Sequence, residues 1–339
     1  MRIKLLIAVA DGSYAEHLSS NLSEKHTDSF EVSVCSTAQR LRDILAAQKF
    51  EAALLDASLI KDIDLRPIHL PLLLWAEEEQ FSDTAGDHKL IRKYQRISSI
   101  ADEILESYAK ISSDSSGPVL EKARVIVFWS PSGGVGTTTS ALSYAARKVS
   151  DGKQVLYLNL ESFSSTPLFF PESGKSISAA FEMLDNHEGN LKMLLRGIRR
   201  QDNGSGISYF CHPENFDDMN ILSVEDAAVL ITACSGITEE LVVDLSCICN
   251  MRTWRIFELA DRIFIVVNDT QSSQIKLSQF IAQHNVFERI RAKTAIVANK
   301  GAHINHPLID IAISLPPVLV DCESELFKTL SASFAEQVS

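Results

Sequence analysis

Ser130-Pro131-Ser132-Gly133-Gly134-Val135-Gly136-Thr137-Thr138-Thr139-Ser140 sits between an apolar run, Val125-Ile126-Val127-Phe128-Trp129, and a helical pattern, Ala141-Leu142-Ser143-Tyr144-Ala145-Ala146. Strand, glycine turn and helix in that order is the geometry that wraps a phosphate in backbone N–H groups at a helix N-terminus. Gly133, Gly134, Val135 and Gly136 form the turn, and the amides of Thr137, Thr138 and Thr139 complete the expected cradle. Thr138 stands where a hydroxyl normally reaches magnesium. The position after the last glycine, normally lysine, holds Thr137. One unit charge ~4 Å from a phosphate charge contributes about 4 kcal/mol at an effective dielectric of ~20, before its own desolvation. Its loss predicts weaker binding and poor charge neutralisation during phosphoryl transfer.

Two downstream strands support a nucleoside triphosphate as the ligand. Leu241-Val242-Val243-Asp244 is an apolar run ending in aspartate, the form of a Walker B element, and Asp244 is placed to bind magnesium through water. Val297-Ala298-Asn299-Lys300 ends a later strand with an amide suited to a base edge, although a turn asparagine has the same pattern. The competing reading is a dinucleotide fold. Gly134-Val135-Gly136 begins its glycine pattern and Glu161 follows the second strand, but the third glycine position is Thr139.

The chain has 339 residues, so two domains are expected. Hydrophobic content of 45% supports packed cores, and charged content of 22% is ordinary. No apolar run reaches the roughly 18 residues of a membrane span. The opening run from Ile3 ends at Asp11, which fits a first strand better than a leader. A net charge of −12 opposes non-specific nucleic-acid binding, and the small basic cluster Gly197-Ile198-Arg199-Arg200 reads as a solvated helix end. The six cysteines form no Cys-x-x-Cys pair and read as buried, reduced thiols.

Small polar residues, Gly117 and Pro118 mark 111–118 as a linker, with one domain at 1–110 and another at 119–339. In the first domain, strands are expected at Ile3 to Val9, Phe30 to Cys35, Ala52 to Leu55 and Leu70 to Trp75. Helices are expected at Tyr14 to Lys25, Thr37 to Gln48 and Ser98 to Lys110, with Thr37 as a cap. In the second, strands are expected at Arg124 to Trp129, Gln154 to Leu160, Leu241 to Leu245, Arg262 to Val267, Thr294 to Ala298 and Ile311 to Leu315. Gly152 fits a helix C-terminus, and Gly206 to Phe210 an edge strand. Alternating strands and helices imply an α/β fold with a parallel sheet in each domain. Leu326, Leu330 and Phe334 form a stripe whose acidic flanks favour packing on the protein rather than a membrane surface.

From Arg124 to Leu315 the chain resembles the ParA/MinD branch of P-loop ATPases, whose loop reads Lys-Gly-Gly-x-Gly-Lys-[Ser/Thr]-Thr. Ser132 and Thr137 replace the two lysines, while the glycines and Thr138 match. The family's Asp-x-Asp after the second strand stands here as Asn159-Leu160-Glu161. The resemblance gives Glu161 the water-positioning role, Asp244 the Walker B role, Asn299 the adenine and Pro316 with Pro317 the loop over the base. It implies a doubly wound P-loop sheet holding ATP and Mg2+. The first domain resembles a degenerate, flavodoxin-like response-regulator receiver. Asp56 stands at the phosphoacceptor position, with Asp11 and Lys93 as further matches, while Ala10 and Trp75 depart from the pattern. Together the halves are similar to the TadZ/CpaE proteins of tight-adherence (Flp, type IVb) pilus systems, where loop lysines are also lost. That resemblance implies a cytoplasmic homodimer without a membrane segment or a specific nucleic-acid partner. It would bind ATP with weak or absent hydrolysis, at a cell pole or on the membrane through partners, and recruit pilus or secretion proteins.

Three further readings compete. A slow ATPase would recruit another cation, with Lys300, Arg255 and Arg252 as candidates. A signalling protein would be controlled by phosphorylation of Asp56. An oxidoreductase would bind NAD in preference to ATP.

Overall fold

The apolar strand residues of the N-terminal part divide between two faces of one sheet, Leu5 and Ile7 on one and Leu6 and Ala8 on the other. The computed structural model describes residues 2–26, 29–76, 88–111, 123–171, 174–187, 189–304 and 309–334. The chain divides into two compact units, Met1–Pro118 with Glu188–Gly197, and Val119–His187 with Ile198–Ser339. Apart from Ile111, the expected linker lies outside the described residues.

The first unit runs β1 (Ile3–Ala8), α1 (Gly12–Lys25), β2 (Phe30–Cys35), α2 (Ala38–Ala47), β3 (Phe50–Asp56), β4 (Ile68–Trp75), β5 (Lys89–Arg92) and α3 (Ile97–Ile111). Its five parallel strands have the order β2-β1-β3-β4-β5, the doubly wound order with a switch point between β1 and β3. Side chains of α1 and α3 cover one face, while Leu41 and Leu45 of α2 lie on the other. Thr37 caps α2 as expected, accepting from the Arg40 N–H at 3.3 Å. The short strand β5 was not expected from sequence.

The second half of the chain continues with β6 (Arg124–Trp129), α4 (Thr137–Ser150), β7 (Val155–Leu160), α5 (Thr166–Phe169), α6 (Ser178–Asp185), α7 (Leu191–Ile198), β8 (Arg200–Gln201) and β9 (Ser208–Tyr209). There follow α8 (Asp218–Ile221), α9 (Val224–Ser235), β10 (Glu240–Leu245), α10 (Met251–Leu259), β11 (Arg262–Val267), α11 (Gln271–Ile281), α12 (His284–Phe287), β12 (Thr294–Ala298), β13 (Ile311–Ser314) and α13 (Leu326–Leu330). The second unit holds an eight-stranded sheet, β13-β12-β11-β6-β10-β7-β9-β8, parallel except where β8 meets β9. Every residue of β10 is buried, as a central strand covered on both faces requires.

Phe128 packs with Tyr144 of α4 and with Phe334 on one face, while its neighbour Trp129 meets Phe257 and Phe280 on the other. The C-terminal stripe therefore seats on its own domain, through buried Phe327, Leu330 and Phe334. Gly152 adopts φ +82° directly after the cap residue Asp151 and ends α4. The chain's return through α7 belongs to the first unit: Met193 joins the core of α1 and α3, and the Asn190 N–H donates to the Ala109 carbonyl at 2.6 Å.

Two expectations are corrected. Arg199 does not end a solvated helix, because its guanidinium donates to the Ile237 carbonyl at 3.2 Å. Cys35 and Cys234 are buried as expected, but Cys247, Cys249 and Cys322 are exposed, because they lie on loops beyond the sheet edges. All six are free thiols. Among the described residues, no helix is long and apolar enough to cross a membrane.

Candidate functional site

The glycine turn follows β6 directly and delivers the chain into α4, so the helix N-terminus opens at the C-terminal edge of the sheet. Gly134 and Gly136 adopt φ +74° and +92°. A Cβ at Gly136 would collide with the Asn299 side-chain nitrogen, so glycine is required there both for conformation and for space. No side chain caps the N-terminus of α4, which leaves the first-turn N–H groups directed outward. They face a cleft of about 590 Å³ lined by Gly133, Gly134, Gly136, Thr137, Thr138 and Thr139, with Glu161, Phe163, Asn299, Pro316 and Pro317 among the other lining residues. Val135 is turned inward and buried, and contributes its carbonyl to the site's framework rather than a surface to the cleft.

Asn299 is 5% exposed and fastened at both ends of its amide. Its nitrogen donates to the Val135 carbonyl at 2.8 Å, and its oxygen accepts from the Lys300 N–H at 2.8 Å. The residue expected to read a base therefore anchors the phosphate loop.

Beneath the cleft lie the acids. Asp244 is wholly buried on β10 and pairs in register with Asn159 on β7. Its Oδ2 accepts from the Tyr157 hydroxyl at 2.7 Å and from the Asn159 amide at 3.1 Å. The same amide reaches Glu161 Oε2 at 3.2 Å, bridging the two carboxylates. Asp244 Oδ1 is buried with no hydrogen-bond partner. Burial, then the nearby Glu161 charge, push the Asp244 carboxyl up to about 7, against the opposing donors Tyr157, Thr138 and Asn159. Burial likewise raises the Glu161 carboxyl. Among the described residues, no Lys, Arg or His charge acts on Asp244.

These residues fit a magnesium–nucleotide. The open amides suit phosphate oxygens, and the Asp244 Oδ1 that makes no hydrogen bond suits a cation or its water. No described group of three or more His, Cys, Asp or Glu forms a metal cage. Mg2+ needs none when a carboxylate, a hydroxyl and substrate phosphates share it.

Lys300 lines the cleft, as one of the cations proposed to replace the loop lysine would have to. The other two are occupied elsewhere: Arg252 donates to the Met219 and Leu222 carbonyls, and Arg255 pairs with Glu258 at 3.1 Å. The sequence reading did not identify Tyr157 as a site residue and noted Asn159 as a departure alone. Their i, i+2 spacing with Glu161 places all three on one face of β7 and its extension, a signal that was available.

In the first unit, Asp56 ends β3 and lies 3.5 Å from the Lys93 ammonium. Asp56 Oδ1 accepts from the Ser58 N–H and hydroxyl, and Oδ2 from the Ala10 N–H at 3.4 Å. Burial acts to raise its carboxyl, but the Ser58 bonds and the Lys93 charge prevail and hold it below its ordinary value. Lys93 also lies 5.5 and 5.6 Å from the ring centres of Tyr14 and Tyr94. Asp11 is engaged as the cap of α1.

No protein-family model matches the chain, and no curated protein matches it. Solved structures do. The ParA family ATPase from Chlorobium tepidum TLS is 16% identical over 63% of this chain and 96% of that chain, with a TM-score of 0.53. The Pyrococcus furiosus cell division ATPase MinD is 12% identical over 64% of this chain and 100% of its own, at a TM-score of 0.48. The MinC:MinD cell division protein complex of Aquifex aeolicus gives 16%, 64%, 98% and 0.47 respectively. The assignment rests on the first of these: over that part the chain carries an α/β fold of the kind seen in the ParA family ATPase.

Proposed function

We propose that this protein is an ATP-binding localisation and assembly factor, a relative of the ParA/MinD ATPases with both P-loop lysines replaced (Ser132, Thr137), that holds Mg-ATP and hydrolyses it weakly or not at all. The observation that carries the reading is a backbone phosphate cradle whose loop itself supplies no lysine. Thr138 and Asp244 would hold the cation, the N–H groups of 133–139 the phosphates, and Pro316 and Pro317 would border the base. Bound Mg-ATP would supply a phosphoanhydride and its counter-ion. The chain's own part is to bind and orient it. Glu161, tethered to the Asn159 amide, would have little freedom to position a water, and little turnover is the expected result.

The similarity to TadZ/CpaE proteins supplies the finer reading. In it, a homodimer acts at the cell pole and recruits the assembly proteins of a Flp (Tad, type IVb) pilus or secretion apparatus. A slow positioning ATPase is the second reading, favoured by Lys300 in the cleft lining. Calorimetry with Mg-ATP, followed by phosphate release measured on wild type and Asp244→Ala, separates the two. Binding without Asp244-dependent turnover supports the first reading, and Asp244-dependent turnover supports the second. No binding at millimolar Mg-ATP removes both.

A further inference from the structure

Asp244 is a wholly buried carboxylate whose two oxygens are treated unequally. An oxygen of this kind has two lone-pair directions. Those of Oδ2 are taken by the Tyr157 hydroxyl at 2.7 Å and the Asn159 amide at 3.1 Å. Oδ1 has no partner. The Asn159 amide nitrogen also lies 3.1 Å from the Tyr157 hydroxyl, so that hydroxyl, amide nitrogen and Oδ2 form one tight triangle whose two amide hydrogens are shared among Oδ2, the hydroxyl and Glu161. Tyr157 is 1% exposed and its ring packs on Phe170, so the hydroxyl has little freedom to follow a moving partner. Leaving a buried carboxylate oxygen without a partner carries a desolvation cost. The arrangement tolerates that cost at one oxygen while saturating the other.

We infer that Tyr157 is a positioning residue for the cation site: with Asn159 it clamps Asp244 by Oδ2, so that Oδ1 alone is presented to a divalent cation or to a water bound to it. A P-loop lysine would otherwise help to fix charges near this carboxylate, and here two neutral donors hold it. The inference rests on the reading that the cleft takes a magnesium–nucleotide, and it adds a residue that the loop and Walker B patterns do not contain. Orienting partners behind a metal-binding side chain commonly change metal affinity by about 10–100-fold when removed.

The test is the ratio of ATP affinity in excess Mg2+ to ATP affinity in EDTA, measured by calorimetry on the full chain. Tyr157→Phe keeps the ring and removes the hydroxyl. The expected result is a fall in that ratio of roughly tenfold, through the Mg2+ arm alone, with the EDTA arm unchanged. A general loosening of the fold would lower both arms together and overturns the inference, as does an unchanged ratio. If Tyr157→Phe does not fold, Asn159→Ser frees the other lone pair of Oδ2 and is read in the same way. Wild-type protein that binds ATP in neither arm overturns the nucleotide reading and this inference together. Wild type that binds with a variant ratio unmoved overturns this inference alone.

Discussion

The Asn299 side-chain amide donates to the Val135 carbonyl at 2.8 Å across 164 positions of sequence, tying the end of β12 to the middle of the phosphate loop. The middle of the loop is thus anchored by a side chain from another strand. Asn299→Ala leaves a buried carbonyl without its donor, which costs about 1–3 kcal/mol. The expected result is a lower melting temperature together with weaker Mg-ATP binding, both read on the same preparation by calorimetry. Unchanged binding would show that the loop keeps its shape without the anchor.

Gly136→Ala should do more damage than its size suggests. The new Cβ meets the Asn299 amide, and φ +92° is unfavourable for any L side chain. Loss of Mg-ATP binding is expected with the circular dichroism spectrum retained. Normal binding would contradict the cradle geometry.

The acid pair gives the ligand-free protein an unusual pH response. The folded carboxyl of Asp244, at about 7, lies above its unfolded value of about 3.9. A folded state that binds more protons loses stability as pH rises, between the unfolded and the folded value. Urea unfolding without nucleotide should therefore show lower stability at pH 8 than at pH 5, by on the order of a few kcal/mol at most from this pair. Asp244→Asn should flatten that slope and stabilise the ligand-free protein at pH 8. A slope of the same size in the variant would place its origin elsewhere.

Asp56 works with the opposite sign. Its folded carboxyl is held below the ordinary value, so its contribution is present at neutral pH and lost as pH falls through that lowered value. Lys93→Met should cost about 2 kcal/mol at pH 7 and much less in acid, measured by urea unfolding at both. The receiver reading requires phosphoryl transfer to the same carboxylate, against its bonds to Ser58, Ala10 and Lys93. Intact mass after acetyl phosphate treatment tests that point: a gain of one phosphoryl group supports it, and an unchanged mass counts heavily against it.

Gly197 tests the return of α7 to the first unit. A Cβ there would stand 2.7 Å from Leu105 Cβ in α3. Alanine gains about 1 kcal/mol of helix propensity, but overpacking a filled contact costs about 1–3 kcal/mol. Net destabilisation by Gly197→Ala is expected in thermal unfolding, and a stabilised variant would show that the contact yields freely.

Much of this organisation is legible in the chain. Continuous apolar runs such as Arg262 to Val267 and Thr294 to Ala298 coincide with β11 and β12, because buried parallel strands carry hydrophobic residues on both faces. The glycine loop likewise announces its strand and helix. Three features were hidden for a physical reason. The strand β5 offers only Lys89-Leu90-Ile91-Arg92, too short to show a period. The docking of α7 with the first unit joins segments far apart in sequence. The clamp on Asp244 depends on the register of β7 against β10, where Asn159 stands opposite Asp244. That register follows from non-local pairing and has no signature within either strand. The anchoring role of Asn299 was missed similarly: the residue was picked out, but not its partner.

The most direct measurement is calorimetric titration of the purified full chain with ATP and Mg2+. The account predicts saturable binding that Mg2+ strengthens and that yields little or no phosphate over the titration. Absence of binding at millimolar Mg-ATP would contradict it, leaving a P-loop fold whose cradle holds no nucleotide.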